Sequence, residues 1–132
     1  MKPHKEIFIK NFLEKANIAL SDARKNIDNN SLLNAQNRVY YTIFYSVAAL
    51  GYSENFITSK HTQLMGWFNK KFIHEEKIFD KVLFKIYEKA YRNRMESDYS
   101  YTIHVDINEV MQNFKDAELF VKTIENYIKN KS

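Results

Sequence analysis

Two glycines and one proline among 132 residues leave this chain almost without the residues that reverse a backbone sharply. Hairpins and tight turns draw on glycine for positive φ and on proline for a fixed φ, so a β-rich fold with many reversals has little to build them from. The sequence therefore predicts an all-α protein: an up-and-down bundle of five helices in a single domain spanning residues 1–132.

The apolar residues carry the helical period. Ile9, Leu13, Ala16, Leu20, Ala23 and Ile27 recur at gaps of four and three, the stripe that a bundle helix turns towards its neighbour. Pro3 stands near the start of this pattern, where a missing N–H is no loss. The polar stretch NIDNNS, residues 26 to 31, ends it, because Asn, Asp and Ser cap and turn a chain without glycine. A second helix from Leu32 to about Leu50 shows a broad apolar face (Leu32, Ala35, Val39, Ile43, Val47) flanked by Tyr40, Phe44 and Ala48, which predicts a central position, with Gly51 as C-terminal cap. Thr58 or Ser59 is the expected N-cap of a third helix carrying His61, Leu64, Met65, Phe68 and Phe72, which turns at FIHEEK. A fourth starts near Glu75 with Phe79, Val82, Leu83, Ile86 and Ala90 inward, and a fifth opens on Asp106 and Glu109, spaced as a capping box.

Composition excludes several chemistries. There is no cysteine, hence no disulfide, thiolate nucleophile or sulfur-bound zinc. His4, His61, His74 and His104, even with Glu75 and Glu76 beside the third, show no tight ligand spacing, so neither a metal nor another cofactor is expected. The first twenty residues break their apolar run with Lys, Glu and Asn, unlike a signal peptide, and no segment has the length of a membrane span; a cytoplasmic protein without a membrane partner is the expectation. A net charge of +4 is compatible with phosphate-bearing partners without requiring one.

Residues 91–101, YRNRMESDYSY, gather the remaining chemistry at the end of the fourth helix. Arg94 and Asp98 are four apart and share a helical face, and with Tyr99 and Tyr101 they supply donors, an acceptor and π-faces, the means of holding a phosphate and a base. Arg38, beside the apolar face of the second helix, needs a partner if buried. Asp98 is the candidate carboxylate; the other reading has Arg38 reach out to water. Lys77, Lys81, Lys85 and Lys89 at i, i+4 spacing read equally as a phosphate-tracking stripe or as a solvated face, the latter costing only a few tenths of a kcal/mol per like-charged pair.

The order NRVYYTIFYSVAAL, SKHTQLMGWFNKKFI, RMESDYSY and a closing ELFVKTIENYI resembles the HEPN domain family (higher eukaryotes and prokaryotes nucleotide-binding). Its small stand-alone branch is marked by Arg-x-Tyr-Tyr (here Arg38, Tyr40 and Tyr41), by Ser-x-His (Ser59 and His61) and by Arg-x3-Asp-Tyr (Arg94, Asp98 and Tyr99). The resemblance implies an antiparallel, up-and-down bundle of four long helices plus one short helix, forming a homodimer that works with a minimal nucleotidyltransferase as a toxin–antitoxin pair. In active branches the Arg and His of Arg-x4-His-x-Tyr cut RNA without metal, and the Tyr can be nucleotidylated. Arg94 and Tyr101 fill the outer positions, but Tyr99 stands in place of the His, and a phenol of pKa about 10 takes a proton poorly at neutral pH.

The expected function is accordingly binding of nucleotide or RNA by Arg38, Arg94, Asp98, Tyr99 and Tyr101 without strong nuclease activity. Tyr101 is then a possible modification site, and Tyr40, Tyr41 and His61 form a structural network. Two alternatives stand beside it: a metal-independent ribonuclease toxin using Arg94 with Tyr99 or His104, and a non-catalytic dimeric assembly module in which Arg38 and Asp98 form a buried brace.

Overall fold

The computed structural model describes residues 3–99 and 104–131, and for Pro3 and Tyr99 the backbone alone. Within them the chain forms α1 (Pro3–Asp28), α2 (Leu32–Ser53), α3 (His61–Phe68), a π-helical turn (Asn69–Glu75), α4 (Lys81–Tyr99) and α5 (Ile107–Lys131). α2 is the central helix, packed on α1, α3, α4 and α5. Its sequence explains the position: Val39, Tyr40, Ile43, Phe44, Val47, Ala48, Ala49 and Leu50 are all buried. The buried hydroxyls among them turn back onto their own helix, Thr42 Oγ1 to Arg38 O at 2.9 Å and Ser46 Oγ to Ile43 O at 2.7 Å, so they cost little. α1 lies close against α2 because the residues it buries are small, Ala16, Ala19 and Ala23. Asn30, in the left-handed region at φ 57°, makes the α1–α2 turn, a conformation asparagine tolerates.

Several local expectations are corrected. Gly51 is not a C-terminal cap: α2 runs on to Ser53, and Asn55 takes the positive φ, at 63°. Glycine at 51 serves close approach instead, since a Cβ there would stand 2.4 Å from the Phe56 carbonyl oxygen. The fourth helix starts at Lys81, not Glu75. α3 passes into a π-helical turn whose i→i+5 bonding, seen in Glu76 N–H to Lys71 O at 2.9 Å, puts residues five apart on one face. Phe68, Phe72 and Ile73 are thereby all buried. Lys77 at φ 50° breaks the chain, and Asp80 then caps α4 by accepting the Val82 N–H at 2.9 Å. On α4 the buried face is Leu83, Tyr87 and Ala90, while Val82, expected inward, is exposed.

α5 buries Val110, Ala117, Phe120, Val121 and Ile124 and leaves Ile107 exposed. Asp106 Oδ1 accepts the Asn108 N–H at 3.2 Å, but Glu109 does not close a capping box; it lies 3.8 Å from Lys89 Nζ. A buried amide pair, Asn113 Nδ2 to Gln36 Oε1 at 3.2 Å, joins α5 to α2. Among the described residues no helix is long and apolar enough to cross a membrane.

Candidate functional site

The Arg-x-Tyr-Tyr segment of α2 faces the start of α3 and the second half of α4, and the side chains named in the sequence meet there. Tyr40 is fully buried, and its hydroxyl lies 2.8 Å from His61 Nδ1. The His61 ring stacks on Phe44 with centroids 4.1 Å apart. From α4, the Arg94 guanidinium carbon sits 5.3 Å from the Tyr40 ring and 5.5 Å from that of Tyr41. Arg38 places its own guanidinium carbon 5.1 Å from the same Tyr41 ring. One phenol ring thus has a cation–π contact with two arginines, each such contact contributing about 0.5–2 kcal/mol according to its exposure.

The charges of this cluster do not balance. Asp98 Oδ2 is 3.4 Å from Arg94 Nε, an ionic neighbour across one helical turn. The same Nε is buried and has no hydrogen bond among the described residues. Arg38 donates from Nε and Nη2 to the amide oxygen of Asn37, at 3.1 and 2.7 Å. The expected Arg38–Asp98 pair is therefore not formed: Asp98 is committed to Arg94 by their spacing on α4, and Arg38 is satisfied by a neutral neighbour. Among the described residues, the two guanidiniums have one carboxylate in ionic contact, and it is held by Arg94 alone.

Burial sets the protonation of the other two members. It holds the Tyr40 phenol well above its ordinary pKa, against the opposing pull of the Arg94 charge. Burial, and then the same guanidinium, hold His61 below its ordinary value of 6.5, so the imidazole is neutral at pH 7. A phenol that keeps its proton needs an acceptor, and among the described residues His61 Nδ1 is the one within reach. Accepting there leaves the imidazole proton on Nε2. In that arrangement His61 presents a hydrogen-bond donor to anything beyond the cluster.

Tyr101 and the Tyr99 side chain lie outside the described residues. His104 is exposed ahead of α5 and has no contact with the cluster among the described residues, and no group of three His, Cys, Asp or Glu that could hold a metal ion is found among them. A cleft of about 860 Å³ lies between α1 and α5, away from the arginines. A smaller hollow of about 310 Å³ opens beside His61, walled by Phe12, Phe44, Ala48, Tyr52 and Phe56. Asn37 and Phe12 escaped the sequence reading. Asn37 had a local signal, adjacency to Arg38; Phe12 had none, since only the packing of α1 on α2 brings it there.

A helical bundle with paired guanidiniums on adjacent tyrosines of its central helix, and a histidine from the next helix locked beneath them, defines the class. The chain belongs to the HEPN domain family, whose model it matches over residues 9–127. It is 32% identical over 126 residues to a protein of Thermotoga maritima named UPF0332 protein, covering 96% of this chain and 95% of that one. Two proteins of Methanocaldococcus jannaschii, each named as a candidate toxin, are 29% identical over 125 residues (94% of this chain, 84% of theirs) and 31% identical over 121 residues (92% and 89%).

Proposed function

We propose that this chain is the toxin-type member of a two-component system, a homodimer working with a minimal nucleotidyltransferase, and that Arg38 and Arg94 bind the phosphates of RNA or a nucleotide. The observation that carries the reading is the uncompensated charge: two guanidiniums within 5.5 Å of the Tyr41 ring and, among the described residues, one carboxylate in ionic contact with either, Asp98 on Arg94. Guanidinium forks suit phosphate oxygens, and the tyrosine faces beneath them hold the forks in place. The names of the two archaeal relatives support the toxin part of the reading.

Strong nuclease activity is not part of it. Metal-free RNA cleavage needs a group to take the 2′-hydroxyl proton, and the neutral His61, with its proton on Nε2, offers a donor. The test is an affinity titration of single-stranded RNA and nucleoside triphosphate against the wild type and Arg94→Ala, with circular dichroism to show that the variant folds. Loss of binding with a retained fold supports the reading; unchanged affinity refutes it. Incubation with RNA in the presence of a chelator separates the ribonuclease alternative, which requires cleavage that disappears in Arg94→Ala. Mass spectrometry after co-expression with the adjacent gene product reports whether the partner binds and whether a nucleotide is added at Tyr101.

A further inference from the structure

We propose that the hollow beside His61 is a nucleobase subsite, receiving one unpaired base of a single-stranded RNA whose phosphate lies at Arg38 and Arg94; the proposal rests on the phosphate-binding reading of those arginines. The hollow has a volume of about 310 Å³ and is lined by aromatic residues from three parts of the chain: Phe12 of α1, Phe44 and Tyr52 of α2, and Phe56 of the loop that follows. Phe12 and Tyr52 are stacked with centroids 5.4 Å apart, and Phe44 stacks on His61. Aromatic walls of this kind accept a base by its π-face whatever its identity. Ser59 and His61 add polar groups to the lining, a hydroxyl and an imidazole nitrogen, which can meet the edge of a base; the Thr58 hydroxyl is turned to Gln63.

The hollow and the arginine cluster are linked through His61, which lines the one and contacts Tyr40 of the other. Tyr40, Phe44, Ala48 and Tyr52 follow one another at i, i+4 on α2, and at a rise of 1.5 Å per residue Ala48 lies about 12 Å along the helix from Tyr40. That is within the reach of one or two nucleotides of an extended strand. A further cation waits at the outer edge: Lys15 Nζ is 5.4 Å from the Phe12 ring and 5.7 Å from that of Tyr45, placed for the next phosphate, with Glu14 as the acidic neighbour on that side. The larger cleft between α1 and α5 lacks this character. It has no aromatic wall and carries Glu6, Glu14 and Glu125 among its lysines, a poor surface for a polyanion. A duplex, whose bases are paired and stacked, has nothing to place in the hollow.

Fluorescence anisotropy with two labelled probes tests the subsite: hexauridylate, and a hexamer of the same sugar–phosphate backbone lacking bases. The wild type is expected to prefer hexauridylate by on the order of tenfold. Tyr52→Leu removes a stacking wall, and Ser59→Trp fills the mouth of the hollow from an exposed position; each is expected to bring hexauridylate down to the affinity of the base-free probe. Arg94→Ala is expected to weaken both probes. Equal affinity of the wild type for the two probes, or a preference retained in both Tyr52→Leu and Ser59→Trp, overturns the subsite while leaving the arginine site intact. If Arg94→Ala binds both probes as the wild type does, the phosphate-binding reading falls as well. A Tyr52→Leu protein that sediments as a smaller species than the wild type and keeps its preference for bases assigns the ring face to a second copy of the chain, and also overturns the subsite.

Discussion

At the scale of single residues, position 61 shows how a neighbour decides chemistry. The sequence places His61 in a structural network with Tyr40 and Tyr41, and what it can do there depends on which ring nitrogen holds the proton. A Tyr40 phenol kept protonated by burial and donating to Nδ1 leaves that proton on Nε2. Long-range ¹H–¹⁵N spectra of the His61 ring at pH 7 are expected to show a protonated Nε2 and a bare Nδ1; the opposite tautomer would contradict this arrangement. Stability follows with a definite sign. The folded-state pKa of His61 is lowered, so below about pH 6.5 the unfolded chain binds this proton more readily, and stability falls as pH drops from there through the lowered value. Urea titrations between pH 7.5 and 5 are expected to show a shallower loss for His61→Asn than for the wild type, and parallel curves would show that His61 is not held neutral. The sequence named Arg38, Arg94, Asp98, Tyr40, Tyr41 and His61 because their types and order are visible in it. It could not pair them: Asp98 is taken by Arg94 across one turn, whereas Arg38 turns to its own neighbour Asn37.

Among the elements, the helices that bury a regular stripe were legible and the junctions were not. α1, α2 and α5 repeat apolar residues over many turns, and a period of 3.6 is hard to mistake over that length. Between Phe68 and Lys81 the period changes within the chain. A π-helical turn, a left-handed residue at Lys77 and a capping Asp80 follow in close succession, and Phe79, which looks like a helical core residue, instead packs from the connector onto Phe72 and Tyr127, with centroids 5.6 and 5.3 Å away. Periodicity cannot show where hydrogen bonding switches from i+4 to i+5. Gly51 was similarly misread, because glycine near a helix end suggests a cap whereas here the absence of a Cβ admits the Phe56 carbonyl. Gly51→Ala is expected to cost about 1–3 kcal/mol through the forced shift of that loop, measured by chemical unfolding. A cost below about 0.5 kcal/mol, the range of unremarkable surface changes, would mean that the loop moves aside freely.

For the molecule as a whole, the bundle sets the two arginines side by side. α2 carries Arg38, Tyr40 and Tyr41 and is the helix on which α3 and α4 pack, bringing His61 and Arg94 to it. Phosphate binding by these arginines, as proposed, acts mainly by charge, and its signature is salt dependence. For single-stranded RNA each phosphate contact contributes about 0.7 to the slope of log K against log salt, so Arg38→Ala and Arg94→Ala are each expected to flatten the slope by roughly that amount, independently of base sequence. The most direct measurement is the affinity of the folded Arg38→Ala/Arg94→Ala double variant for a single-stranded RNA at two salt concentrations. Paired phosphate-binding arginines require an affinity at least tenfold weaker than that of the wild type at low salt, with a slope reduced by about 1.4 for the two contacts; wild-type affinity and an unchanged slope would contradict them.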